Sequence, residues 1–281
     1  MLRIAVPNKG SLSDPAALML REAGYRQRED TRELVLHDPD NDAEFFYLRP
    51  RDIAVYVGAG TLDVGITGRD LLLDSAAPAE EVLALGFADS TFRFAARPGV
   101  ATRVEDLAGR RVATAYPGLV ASHLGGLGVT AEVIRLDGAV ETAVRLGVAD
   151  VIADVVSTGT TLRQAGLEVF GTPILQSEAV LVTRSGAGPD SRVDQLVRRI
   201  QGVIIARRYV LVDYDVPSEL VARACAVTPG LESPTISSLQ DPAWVAVRAM
   251  VPRSQTNRVM DELWEIGARA ILVTEIHACR L

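Results

Sequence analysis

Short apolar runs alternate with amphipathic stretches through the first two-thirds of the chain. The apolar runs predict buried strands, at residues 2–6, 44–48, 63–68, 111–115, 132–136 and 151–156. The amphipathic stretches predict helices, at residues 13–24, 51–57, 119–124, 139–146 and 161–165. The first helix starts on Ser13-Asp14-Pro15, a capping residue with a proline in the first turn. This alternation of strands and helices implies parallel sheets flanked by helices.

Two longer strand-like segments, 82–96 and 177–183, interrupt the alternation and bracket the block between them. An inserted block of this kind indicates two α/β lobes that are joined by two chain crossings, with a cleft between the lobes. We therefore predict a first lobe from residues 1–90 and 177–208 and a second lobe from residues 91–176.

The last part of the chain has a different order of elements. Strands are predicted at 209–214, 235–239, 245–251 and 270–276, and helices at 218–224 and 257–266. The order βαββαβ is that of the ferredoxin-like arrangement. Residues 209–281 are therefore predicted to form a separate domain, of about 70 residues, which lies within the usual range of domain sizes.

Composition and charge exclude several classes of function. Hydrophobic residues make up 48% of the chain and the net charge is −7. We expect no membrane segment, because no apolar run is long enough to span a bilayer, and no nucleic-acid partner, because the bulk charge is negative. The N-terminus shows no secretory pattern, and Cys225 and Cys279 form no CxxC pair. We therefore expect a cytoplasmic protein with reduced thiols.

Lys9 is the only lysine among 29 lysine and arginine residues. Codon bias in a GC-rich genome would explain the arginines, and the remaining lysine would then be an accident. The alternative is a functional position, because an ammonium is a compact charge and a guanidinium is a wide planar fork.

The stretch from Glu141 to Leu162 carries the most informative chemistry. The strand at 151–156 contains one carboxylate, Asp154, and is followed by five small polar residues, Ser157, Thr158, Gly159, Thr160 and Thr161. Clustered N–H groups, hydroxyls, a glycine and a helix start are what a phosphate needs. The upstream acid is suited to ribose hydroxyls instead. A plain helix cap is the alternative interpretation of the same loop.

The whole stretch 141–162 resembles, position for position, the signature of ATP phosphoribosyltransferases. The shared positions include Glu141, the strand residues Ile152, Asp154 and Val155, and the loop residues Thr158, Gly159, Thr161 and Leu162. Segments 5–12, 45–50 and 65–70 are similar to other catalytic segments of that family. Segments 209–217 and 228–235 resemble the regulatory domain of its long form. The resemblance implies a two-lobed α/β core like that of periplasmic binding proteins, followed by a ferredoxin-like regulatory domain.

The resemblance also implies a reaction and the residues that carry it. The phosphoribosyl group of phosphoribosyl pyrophosphate would be transferred to N1 of ATP, with Mg²⁺ held mainly by the substrate phosphates. This substrate is assigned to Glu141, Asp154, Ser157, Thr158, Gly159, Thr160 and Thr161. ATP or pyrophosphate is assigned to Lys9, Arg49 and Tyr116, although the aromatic ring is as often simple packing.

Inhibitory histidine is assigned by the same resemblance to the tail, at Asp215, Leu231, Ser233, Thr235 and Ala270. The alternative is that Asp215 and Ser233 are turn residues beside prolines. The family further implies homo-oligomers, as dimers and hexamers. Two rival functions remain: a non-catalytic solute-binding or sensor protein, which shares the two-lobed architecture, and a phosphoribosyltransferase with another acceptor.

Overall fold

The computed structural model describes residues 1–156 and 159–280. Its strands, numbered along the chain, are β1 Leu2–Pro7, β2 Val35–Asp38, β3 Ala43–Leu48, β4 Val64–Gly68, β5 Ala79–Ala84, β6 Ser90–Ala96, β7 Arg111–Thr114, β8 Glu132–Arg135, β9 Val151–Val156, β10 Glu168–Ser177, β11 Ala179–Arg184, β12 Tyr209–Pro217, β13 Thr235–Ser238, β14 Trp244–Pro252 and β15 Arg269–Glu275. Its α-helices are α1 Ser13–Glu22, α2 Pro50–Gly58, α3 Arg69–Ser75, α4 Pro117–Gly126, α5 Thr142–Arg145, α6 Thr160–Gln164, α7 Ser191–Arg208, α8 Val221–Val227 and α9 Thr256–Ile266.

The first sheet has the strand order β2-β3-β1-β4-β11-β5. Its centre is parallel, with β1 between β3 and β4, as the strand–helix alternation predicts. The sheet is mixed rather than purely parallel, because β2 is antiparallel to β3 and β11 is antiparallel to β4 and β5. Strand β11 runs the other way because the chain re-enters this sheet from the second one.

The second sheet has the order β10-β6-β9-β7-β8. Strand β9 is parallel to β7 and antiparallel to β6. Its residues alternate between two apolar clusters: Val151 and Ala153 pack with α4, whereas Ile152 packs with α5 and α6. This period of two is what an interior strand covered on both faces requires.

At both predicted crossings the chain passes from a strand of one sheet to a strand of the other. Between β5 and β6 the chain passes through residues 85–89, and between β10 and β11 it passes through Glu178. The two crossings are bonded to each other, since Leu85 N–H donates to the Ala179 carbonyl at 2.9 Å and Gly86 N–H donates to Glu178 Oε2 at 2.9 Å. On one side of each break the strand is largely buried, β6 in the first crossing and β11 in the second, whereas β5 and β10 are mostly exposed.

The tail forms a third, antiparallel sheet with the order β13-β14-β12-β15. Helices α8 and α9 cover one face, where alternate residues of β12 (Val210, Val212, Tyr214 and Val216) are buried with Leu263. The order is that of a ferredoxin-like βαββαβ domain. The predicted fold class, a two-lobed α/β core followed by such a domain, is confirmed.

The contacts divide the chain into two compact units, residues 1–20 with 25–194 and residues 21–24 with 195–281. The first unit contains the first two sheets, and the second contains the tail. In the part of the chain that the structure describes, no helix is both long and apolar enough to cross a membrane.

Candidate active site

Four residues assigned from the sequence to phosphoribosyl pyrophosphate line one cavity at the carboxyl end of β9. The cavity has a volume of about 130 Å³, and its lining includes Glu141, Asp154, Gly159 and Thr161. Asp154 reaches it because it lies on the same face of β9 as Ile152, the face covered by α5 and α6. Glu141 immediately precedes α5, and Gly159 immediately precedes α6. The end of one strand and the starts of two helices therefore bring these residues of the 141–162 stretch together.

The two carboxylates of this cavity repel each other. Burial raises the pKa of Asp154, the N–H of Val155 opposes the rise by donating to Oδ1 at 2.8 Å, and the charge of Glu141 adds to it. A half-buried acid with a raised pKa beside a second acid is suited to hydroxyl donors or to a cation. The arrangement fits the assigned ribose hydroxyls, and it also fits a hydrated Mg²⁺, since carboxylate oxygen is a ligand that Mg²⁺ accepts.

Gly159 has a φ of 69°, a left-handed conformation that favours glycine. Thr160 and Thr161 follow as the first residues of α6, and the hydroxyl of Thr160 accepts a bond from Arg163 Nη2 at 3.4 Å. Both threonines are exposed, and Thr161 is the one that lines the cavity. Ser157 and Thr158, assigned to the same phosphate, lie outside the described residues.

A larger cavity, of about 380 Å³, lies between the lobes on the other face of β9. Val155 lines both cavities, so the two are neighbours across the end of one strand. Lys9 and Tyr116, both assigned to ATP, line the larger one together with the apolar side chains of Leu12 and Leu71. The phenol ring packs edge-on against Phe92, with the ring centroids 5.1 Å apart. Tyr116 thus has a packing role and also faces the cavity.

Sequence reasoning did not single out Asp70, a buried acid that lines the larger cavity. Its Oδ1 accepts a bond from the Ser177 hydroxyl at 2.9 Å, and its own N–H donates back to that hydroxyl at 3.1 Å. Burial, followed by the charge of Asp70, raises the pKa of the Tyr116 phenol, which is therefore neutral. The available signal was its position: an acid two residues after Gly68, at the carboxyl end of a buried strand.

Arg49, also assigned to ATP or pyrophosphate, is placed differently from Lys9 and Tyr116. It precedes α2, and its Nε donates to Asp52 Oδ2 at 2.9 Å in the first turn of that helix. Its side chain is 68% exposed and does not belong to the lining of either cavity. The assignment of Arg49 to a substrate remains a prediction.

The five tail residues assigned to histidine lie at one end of the third sheet or in the loop before it. Asp215 is on the face of β12 opposite the helices, and it pairs in register with Ala246 and Arg269. A bulge between β12 and β15 gives Ala270 a φ of 51° close to Asp215. Leu231 and Ser233 are exposed in the loop that leads to Thr235 at the start of β13.

Among residues 1–156 and 159–280, no three His, Cys, Asp or Glu side chains are grouped closely enough to hold a metal ion by themselves.

Comparison with known proteins connects this geometry to a family. The family model described as HisG, ATP phosphoribosyltransferase, matches residues 49–202, and the model of the HisG C-terminal domain matches residues 206–278. The chain is 66% identical to the ATP phosphoribosyltransferase of Arthrobacter sp. (strain FB24) and 65% identical to that of Streptomyces coelicolor, over 100% of this chain and of each relative. The chain belongs to the ATP phosphoribosyltransferase family.

Membership of the ATP phosphoribosyltransferase family makes the chain a transferase, at the first step of histidine biosynthesis. Among solved structures, the ATP phosphoribosyl transferase (HisG:HisZ) complex from Thermotoga maritima matches with a TM-score of 0.61 and 25% identity. That match covers 72% of this chain and 99% of the other. The predicted family is confirmed, and both cavities lie within the segments that its model or its full-length relatives match.

Proposed function

We propose that the enzyme transfers the phosphoribosyl group of phosphoribosyl pyrophosphate to N1 of ATP, with release of pyrophosphate. The observation that carries the proposal is the pair of neighbouring cavities at the end of β9. One is lined by two carboxylates and a threonine–glycine loop, and the other by a phenol ring, apolar side chains and Lys9. Two substrates bound there would meet across Val155.

The smaller cavity is suited to the phosphoribosyl group. Asp154 and Glu141 supply acceptors for the ribose hydroxyls, and their charge favours the positive character that the anomeric carbon gains as pyrophosphate leaves. The N–H groups and hydroxyl at Gly159 and Thr161 supply donors to the 5′-phosphate. Ser157, Thr158 and Thr160 belong to the same proposed phosphate loop.

The larger cavity is suited to ATP. Leu12, Leu71 and the Tyr116 ring offer an apolar wall to the purine, and Lys9 offers a compact positive charge to the phosphates. Asp70, Asp89 and Glu178 also line this cavity, so its own charge is acidic. Arg49 would add a cation to the triphosphate or pyrophosphate from the rim.

In the proposed reaction N1 of adenine attacks the anomeric carbon, the bond to pyrophosphate breaks, and the bonding pair leaves with the pyrophosphate oxygen. No side-chain nucleophile is needed, because pyrophosphate is already a good leaving group. The protein therefore contributes position and electrostatics. Mg²⁺, held mainly by the substrate phosphates, would supply charge neutralisation, and Glu141 would contact its hydration shell.

Feedback inhibition by histidine is proposed for the tail, at Asp215, Leu231, Ser233, Thr235 and Ala270. The carboxylate of Asp215 suits a cationic ligand group, and the hydroxyls of Ser233 and Thr235 can donate to a carboxylate.

We also propose that the active form is a homo-oligomer, a dimer or a hexamer. A cytoplasmic location is proposed because both cysteines, Cys225 and Cys279, are free thiols.

The proposal is tested by mixing the purified enzyme with phosphoribosyl pyrophosphate, Mg²⁺ and a series of acceptors, and measuring pyrophosphate release. ATP should support release, and GTP and free purine bases should not. Omission of Mg²⁺ should abolish it. Release with another purine at the rate seen with ATP would establish a different acceptor, and no release with any acceptor would contradict the proposed reaction.

A further inference from the structure

A second connection between the lobes lies behind the larger cavity, where α3 meets α4. Helix α3 packs on the first sheet through Leu72, and α4 packs on the second sheet through Leu119 and Val120. The carboxylate of Asp74, on α3, accepts bonds from the N–H groups of Gly118 at 2.9 Å and Leu119 at 3.1 Å. A side chain of one lobe thus caps the first turn of a helix in the other.

Arg51 joins this capping carboxylate to the cavity wall. Its Nη1 donates to Asp74 Oδ2 at 3.2 Å, and its guanidinium lies over the Tyr116 ring, 4.6 Å from the centroid. Tyr116 is the residue just before α4 and lines the larger cavity. The Asp74 side chain is only 12% exposed, so its bonds are poorly screened by water.

Gly118 permits the close approach of the two helices. A Cβ atom at this position would lie 2.5 Å from the backbone oxygen of Asp74, which is closer than real Cβ contacts allow. The backbone of α4 therefore touches the end of α3, and any side chain at residue 118 would push the lobes apart at this point.

We propose that Asp74, Arg51 and Gly118 form an interlobe clasp that positions Tyr116 and holds the lobes closed over the substrates. These are positioning residues, since they line neither cavity. The inference rests on the proposed function, because it assigns the clasp to the closed state in which both substrates are bound. A contact that is made only when the lobes are together adds its free energy to that state.

The clasp is tested electrostatically with Asp74→Asn, which keeps the shape and removes the charge. Its matched control is Asp150→Asn. Like Asp74, Asp150 accepts hydrogen bonds from a backbone N–H and from an arginine side chain. Both donors belong to Arg111, so these bonds lie within the second lobe. Asp74→Asn should raise KM for both substrates by about tenfold, as expected for loss of one charge-assisted contact, with kcat nearly unchanged. Asp150→Asn should leave both KM values as in the wild type.

The steric test is Gly118→Ala, with Gly125→Ala as its control on the same helix. Gly125 has open space around it, so a methyl group there meets nothing. Gly118→Ala should reproduce the rise in KM, and Gly125→Ala should not.

Two outcomes would refute the clasp. If the wild-type enzyme catalyses the reaction and both Asp74→Asn and Gly118→Ala retain wild-type KM values, the clasp is refuted while the proposed function stands. A wild type that does not turn over refutes the proposed function itself. Equal rises in KM for Asp74→Asn and Asp150→Asn would also refute the clasp, because the effect would then be general destabilisation.

Discussion

Asp154 and Asp150 lie four residues apart and have opposite electrostatic environments. The pKa of Asp154 is raised, chiefly by burial, whereas the bonds from Arg111 lower the pKa of Asp150. A raised pKa means that the folded protein holds the charged form at a cost, which is absent below the ordinary pKa, grows as pH rises from the ordinary pKa to the raised one, and is constant above it. A lowered pKa has the reverse effect, so the charge of Asp150 stabilises the fold above its ordinary pKa and this contribution is lost in acid.

Asp154→Asn should therefore reduce activity strongly without loss of fold. Removal of a charged acceptor for ribose should lower kcat/KM by about tenfold to a hundredfold. Without substrate, the melting temperature at neutral pH should be equal to or slightly above that of the wild type, and the difference should vanish in acid. Asp150→Asn is the control: it should lower the melting temperature at neutral pH and leave kcat/KM intact. A less stable Asp154→Asn protein with full activity per folded molecule would show that Asp154 is structural.

At the scale of elements, most strands of both lobes and the βαββαβ tail could be predicted from their apolar runs. Strands β2 and β10 and helix α3 were missed: β2 has two exposed residues out of four, β10 has two buried residues out of ten, and α3 begins at Arg69 directly after β4 ends at Gly68. Helix α5 is shorter than predicted, since Ala139 has a φ of 47° and the helix starts only at Thr142. The clustering of Glu141 with Asp154 could be expected only through the family resemblance, because the contact depends on how α5 packs against β9.

Close packing of α2 on β4 makes a prediction at this scale. A Cβ atom on Gly65 would lie 2.5 Å from the Ile53 side chain and 3.1 Å from that of Ala5. Gly65→Ala should therefore overpack the first sheet and lower the free energy of unfolding by about 1–3 kcal/mol, measured by urea denaturation. Gly188→Ala, at an open loop position, is the control and should change it little. Equal stabilities for the two variants would mean that helix and strand can separate without cost.

At the scale of the whole molecule, the tail is a sheet covered by two helices, whereas the described residues that line the two cavities lie between residues 9 and 178. A ligand bound there can affect catalysis only if its binding free energy differs between active and less active states. The couplings that link such sites are typically about 1–3 kcal/mol.

Asp215→Ala should separate regulation from catalysis. Activity without histidine should persist, and the histidine concentration that gives half-inhibition should rise at least about tenfold, because a charged partner of the ligand is lost. Asp213→Ala is the matched control on the same face of β12, where the carboxylate is already paired with Arg248 at 2.6 Å. Inhibition like that of the wild type in Asp215→Ala would place the regulatory site elsewhere.

We propose that the end of β9 separates the two substrates, with the phosphoribosyl group on the side of Asp154 and the purine on the side of Tyr116. A crystal structure of the enzyme with phosphoribosyl pyrophosphate and Mg²⁺ tests it most directly. We expect the 5′-phosphate to lie against Gly159 and Thr161, and the ribose hydroxyls to lie within hydrogen-bond distance of Asp154. A 5′-phosphate bound beside Lys9 and Tyr116, with the smaller cavity empty, would contradict it.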